Sequence, residues 1–202
     1  MYLCKVDKNL YIVAGCNGAG KTTASFTILP EILNCREYVN ADEIAVGLSP
    51  FQPDKVAIEA GRIMLSRIKY LLNENISFAF ETTLATTTYN KTVLKAQASG
   101  YHVILLFFWL QTIDLAIKRV ERRVSEGGHN IDSTVIERRY INGIRNLFDV
   151  FIPIVDEILI FDNSEGKHEL IAKKINNADI SILNANKFNL LKKQYDNQRQ
   201  RK

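Results

Sequence analysis

A chain of 202 residues can bury the core of one domain and is short for two. Its 47% apolar and 24% charged residues are those of a globular protein, which excludes a disordered or fibrous chain. A net charge of +4 suits a small anionic ligand without demanding nucleic acid, and three cysteines with no ligand-type spacing, Cys4, Cys16 and Cys35, read as reduced thiols of a cytoplasmic protein.

The opening "MYLCKVDKNL" has no signal-peptide core. Residues 10–14 form a short apolar run suited to a buried strand. "GCNGAGKTT" follows, and its Gly15, Gly20, Lys21 and Thr22 satisfy G-x-x-x-x-G-K-[ST]. Loop residues Gly15, Asn17, Gly18, Ala19 and Gly20 can curl backbone N–H groups around a phosphate, because glycine puts no Cβ in the way. A helix over 20–33 adds its positive end and unsatisfied N–H groups, with Thr23 in its first turn. Lys21 can reach the β- and γ-phosphates of ATP, and the Thr22 hydroxyl can ligate Mg²⁺. Cys16 is either a reactive thiol or a small filler.

Strand-like runs recur at 37–40, 76–80, 102–110 and 157–161, with helical patterns at 54–75, 88–99, 112–126, 133–148 and 167–176. Pro53 suits a first helical turn and Gly100 a helix end. The longest apolar run, "VILLFFWL" at 103–110, is too short to span a bilayer. This alternation predicts an α/β fold, a doubly wound parallel sheet of about five strands with ligands at the strands' carboxyl ends. Residues 1–180 make the phosphate-binding domain, including a lid at 112–148, and 181–202 make a basic C-terminal helix or tail.

Acids follow two of these strands. Asp42, in "NADEIA", is either a helix cap or a chemical group facing the cleft. Glu81, in "ETTLAT", ends an apolar strand as a Walker-B acid does. If strand three lies beside strand one, it can serve metal or acceptor. In the lid, Arg119, Arg122 and Arg123 share a helix face. Arg138 and Arg139 open the next helix, and Gly127 and Gly128 permit a mobile connection. Arginines so placed can stabilise the charge of phosphoryl transfer; the bland alternative is a solvated charged pair of helices. His129, in "GGHN", is a substrate contact or polar surface.

Together "GCNGAGKTT", "VNADEIA", "FETTLAT" and the arginine-flanked "GGHN" resemble the zeta-toxin family of small bacterial P-loop kinases, in its single-domain branch of predicted ATPases. The resemblance implies a P-loop NTPase fold of strand order 2-3-1-4-5 and transfer of phosphate from ATP, with Mg²⁺, to a sugar hydroxyl of UDP-N-acetylglucosamine. It implies that Asp42 is the base for the acceptor hydroxyl and that Glu81 and Thr83 line the acceptor pocket. Arg123 with Arg138 or Arg139 would clamp the γ-phosphate. An antitoxin protein is the partner the family suggests, although the "GGHN" lid departs from the usual toxin sequence. The alternative function is a nucleotide-binding ATPase or switch acting on a partner. The basic end "KKQYDNQRQRK" reads as a solvated terminus rather than a nucleic-acid site, and no membrane association is expected.

Overall fold

A computed structural model describes residues 8–199 apart from 129 and 177; His129 therefore lies outside the described residues. The elements are β1 (Lys8–Ala14), α1 (Lys21–Thr27), a π-helical turn (Ile28–Ile32), β2 (Tyr38–Val39), α2 (Ala41–Leu48), a 3₁₀ turn (Pro53–Val56) and α3 (Ala57–Asn73). They continue with β3 (Phe78–Thr82), α4 (Asn90–Ala98), β4 (Tyr101–Trp109), α5 (Ile113–Ser125), α6 (Ser133–Asn146), a second π-helical turn (Leu147–Phe151) and α7 (Ile152–Ile154). The last are β5 (Glu157–Asp162), β6 (Glu169–Lys174), β7 (Ser181–Ile182) and α8 (Ala185–Arg199).

One sheet runs β2-β3-β1-β4-β5-β6-β7. The first five strands pair in parallel. β1 and β4 form its middle: every β4 residue except His102 is buried, as expected of a strand covered by helices on both faces. The expected five-strand sheet is thus corrected to seven strands, the order extended by β6 and β7, which are antiparallel. Residues 167–176, expected as a helix, instead contain β6. The chain turns back through 163–168, so β6 meets the open edge of β5, with Ile171 and Ala172 buried at 0% exposure. A short amphipathic run is ambiguous between helix and strand, and a free sheet edge decides it.

α8 covers the far end of the sheet, burying Phe188, Leu191 and Tyr195. Its Gln194 accepts hydrogen bonds from Trp109 Nε1 at 3.0 Å and Tyr140 Oη at 3.0 Å, and donates to the Gln111 carbonyl at 2.7 Å. Among the described residues no helix is long and apolar enough to cross a membrane.

Candidate active site

The phosphate loop connects β1 to α1. Gly15, Gly18 and Gly20 all have positive φ, which fixes glycine at these positions. Contact adds a second reason: a Cβ on Gly18 would stand 2.8 Å from the Ala116 carbonyl, and one on Gly20 2.5 Å from Asn163 Nδ2. The loop is therefore clamped by α5 and by the segment after β5. Asn163 Nδ2 donates to the Ala19 carbonyl at 2.8 Å, and Arg119 donates to the Asn163 and Ser164 carbonyls at 2.8 and 2.9 Å. Asp162, 1% exposed, shapes that segment. Burial alone would raise its carboxyl, but hydrogen bonds from Lys187, Ser164 and Gln111 outweigh this and hold it below the usual carboxylate range.

Lys21 is buried, and its Nζ donates to the Cys16 carbonyl at 2.9 Å and lies 3.5 Å from Glu81 Oε1. β3 does run beside β1, pairing Val13 with Glu81, and so delivers this carboxylate to the loop. Glu81 Oε2 accepts from Thr22 Oγ1 at 2.9 Å, Tyr38 Oη at 2.5 Å and Asn40 Nδ2 at 3.2 Å. Burial first, then the Glu81 charge, push the Tyr38 phenol far up, so it remains a donor. Asp42 lies in the first turn of α2, whose cap is Asn40: the Asn40 side chain accepts from the Asp42 N–H at 2.9 Å. Asp42 itself is exposed. The cap role open to Asp42 is thus taken by Asn40, and its carboxylate is left to the cleft.

Three cavities meet here. The first, about 200 Å³, is lined by Lys21, Thr22, Thr23 and the loop residues Asn17, Gly18 and Gly20, and also by Asp42, Glu81, Arg119 and Arg123. The second, about 520 Å³, lies between α2 and the α5–α6 segment; it shares Asp42 and Arg123 with the first and adds Arg139. The third, about 330 Å³, lies on the other side of the loop, among Thr23, Arg119, Asn163 and His168. Arg139 also donates to Asn17 Oδ1 at 3.1 Å. Burial and the Arg119 charge hold the His168 imidazole below its usual range, mostly neutral near pH 7.

Of the residues singled out by sequence, Thr83 and Arg138 line none of these cavities. Thr83 turns its carbonyl to α6, where a Cβ on Gly143 would come within 2.9 Å, and Arg138 is exposed on α6. Gly15 packs against β4, and Ala19 is fully buried. Sequence reasoning gave no site role to Tyr38, Asn40 or Asn163; Arg119 it grouped with the lid arginines for the transferring phosphate, and the structure sets it against Gly18, Asn163 and Ser164. For Arg119 the spacing from Arg122 and Arg123 was a usable signal; for the others position beside a strand end was the only one.

Among the described residues no three His, Cys, Asp or Glu side chains gather as a metal site. The donors that do converge, the Thr22 hydroxyl and the Glu81 carboxylate, are hard oxygens of the kind Mg²⁺ accepts alongside phosphate oxygens and water.

The sequence profile described as zeta toxin matches residues 51–175, more than half of the chain. A protein of Haemophilus influenzae is 26% identical over 126 residues, 62% of this chain and 88% of that one. Solved structures share the fold, among them two chains from multi-protein systems. A chain of the AvrRxo1-ORF1:-ORF2 complex with ATP superposes with a TM-score of 0.74 at 17% identity, covering 93% of this chain and 64% of that one. A chain of the PezAT chromosomal toxin–antitoxin system of Streptococcus pneumoniae gives 0.61 at 16% identity, covering 96% and 88%. The chain thus spans somewhat under two thirds of the AvrRxo1 chain it matches.

Proposed function

The chain belongs to the zeta toxin family, and on that premise we propose that it is an ATP-dependent kinase transferring the γ-phosphate to a hydroxyl of a small acceptor. One observation carries the reading: the phosphate-loop cavity and the larger cavity beneath the lid share Asp42 and Arg123. A kinase needs that layout, with two compartments meeting at a base and a cation. A switch or simple ATPase has no use for the second compartment.

In this reading Lys21 exchanges its contacts with the Cys16 carbonyl and Glu81 for phosphate oxygens. The loop N–H groups and the start of α1 hold the phosphates, and the nucleoside extends into the cavity beside Arg119, Asn163 and His168. Thr22 and Glu81 are the residues to hold Mg²⁺; when bound, the ion neutralises phosphate charge. Tyr38 and Asn40 keep Glu81 oriented. Asp42 accepts the acceptor's hydroxyl proton and aims its oxygen. Arg123 and Arg139 balance charge on the transferring group, for which a permanently charged fork is suited. A UDP-N-acetyl-sugar is the acceptor the family resemblance implies. An antitoxin-like protein is the partner to seek, as a PezAT chain shares the fold.

The test is Asp42→Asn. It should leave Mg·ATP affinity within a few fold and cut turnover by about 10²- to 10⁴-fold, the usual worth of a general base. Asn40, not Asp42, caps α2, so the variant should fold normally. Wild-type turnover in Asp42→Asn would refute the base assignment, and lost ATP affinity would move Asp42 to the metal.

A further inference from the structure

α8 contributes no residue to the three cavities of the site and lies beyond the stretch that the family profile matches. It is nevertheless joined to the phosphate loop by an unbroken run of polar contacts. Lys187, in its first turn, stands 2.8 Å from Asp162 Oδ2 at the end of β5. Asp162 is 1% exposed, and its other oxygen accepts from the Ser164 N–H at 2.9 Å and the Ser164 hydroxyl at 2.5 Å. Ser164 presents its carbonyl to Arg119 at 2.9 Å, and Arg119 also donates to the Gly18 carbonyl at 3.4 Å. Beside it, Asn163 donates to the Ala19 carbonyl at 2.8 Å. A trans peptide sets its C=O and N–H in opposite directions. The bond on the Ala19 carbonyl therefore fixes the direction of the Gly20 N–H, and Gly20 lines the phosphate-loop cavity. A cation in the first turn of a helix is disfavoured by the helix's own positive end, so α8 alone does not explain a lysine at 187. Hydrogen bonds to Asp162 and Glu169 hold its ammonium above the usual range.

Resting on the nucleotide-binding part of the kinase reading, we propose that Lys187 is a positioning residue for the phosphate loop, and that α8 acts through it to hold the loop in its anion-binding shape. Without the ammonium, Asp162 is a buried carboxylate short of a partner, a costly state that is relieved by turning toward water or by drawing in other donors. Either movement takes Ser164 with it, and Arg119 and Asn163 follow. The nucleotide must then order the loop as it binds, and that cost lowers affinity. Coupling of this kind is reciprocal, so a bound nucleotide also tightens the seat of α8.

The experiment is isothermal titration of the full chain with a nonhydrolysable ATP analogue and Mg²⁺. Lys187→Met should weaken analogue binding about tenfold, the worth of one charge-assisted hydrogen bond. Ser164→Ala should weaken it several-fold. The double variant should lose no more than Lys187→Met alone, because both changes break the same run of contacts. Tyr195→Phe removes the hydroxyl that donates to Asp149 at another contact of α8; it should lower the urea midpoint and leave the analogue's affinity unchanged. If Lys187→Met does not fold, Lys187→Gln is read in its place: it removes the charge, keeps a donor and should lose several-fold. Wild-type affinity in the folded Lys187 variant, additive losses in the double variant, or an equal loss in Tyr195→Phe overturns the proposal. The nucleotide reading is judged apart, by the wild-type chain. No analogue binding there counts against that reading itself, whereas tight wild-type binding that is indifferent to Lys187 sinks the positioning role alone.

Discussion

Replacing Gly15 by alanine should destabilise the whole protein, because this glycine lies where the phosphate loop touches the middle of the sheet. Its φ is +143°, and a Cβ built there would stand 2.2 Å from the Phe108 carbonyl oxygen and 3.1 Å from its carbon. Neither neighbour can give way. Phe108 is 1% exposed and stacks on Phe161 at 5.2 Å, and its strand is paired on both sides. Overpacking of this kind costs about 1–3 kcal/mol, and a glycine-only backbone conformation adds about 1–3 kcal/mol. Together they come to about 2–6 kcal/mol, a large share of a domain's total of roughly 5–15 kcal/mol. Urea unfolding followed by fluorescence of Trp109, the chain's single tryptophan, measures this. With a slope of about 2 kcal/mol per molar, the midpoint should fall by about 1–3 M. Gly61→Ala is the control: it lies in α3 with nothing within 4 Å of its Cβ position, and it should gain about 0.5–1 kcal/mol from helix propensity. A Gly15→Ala midpoint equal to wild type would refute the argument that the loop is braced against β4.

Lys21→Ala should abolish productive ATP use while the fold survives, since Glu81 keeps its bonds to Thr22, Tyr38 and Asn40; normal turnover would end the phosphate-loop reading. Hydrogen exchange across 119–139 should slow when a nonhydrolysable ATP analogue and acceptor are added, and equal protection would count against a lid. Burial pushes the Cys16 and Cys35 thiols up to about 11 each, so neither should react with iodoacetamide at pH 8 faster than the protein unfolds. Because both folded values lie above those of the unfolded chain, their contribution to stability is complete below about pH 8.5 and is lost as pH rises toward 11. The urea midpoint should therefore decline over that window, and Cys16→Ala should make the decline shallower; a decline of unchanged slope would refute the thiol assignment.

The local part of this fold could be read from the chain. The loop, its lysine and the strand before it follow from contiguous residues, and the acids after the second and third strands follow from the rule that ligands gather at strand ends. What escaped was set at long range. Nothing within residues 167–176 says that a sheet edge is waiting for them, and β6 forms only because β5 offers one. Tyr38 looks like an ordinary strand aromatic until β2 is laid against β3 and its hydroxyl reaches Glu81. A helical face identifies the arginines of α5 as a group. Only contact with Gly18, Asn163 and Ser164 singles out Arg119 as the brace of the loop and leaves Arg123 facing both compartments. Thr83 lines none of the three cavities, and its carbonyl lies close against α6 at Gly143.

The two ends of the sheet bear on how this chain survives at high concentration. β4 is nine residues of nearly unbroken apolar sequence, the kind of segment that joins copies of a protein into fibrils when its edges are free. It lies in the middle of the sheet with a strand on each side, and the outer positions belong to β2 and β7, each of two residues. Edges so short offer a neighbouring molecule few unpaired N–H and C=O groups to extend. Among the described residues the borders therefore offer only short templates, and the long apolar strand β4 becomes available for pairing only when unfolding uncovers it.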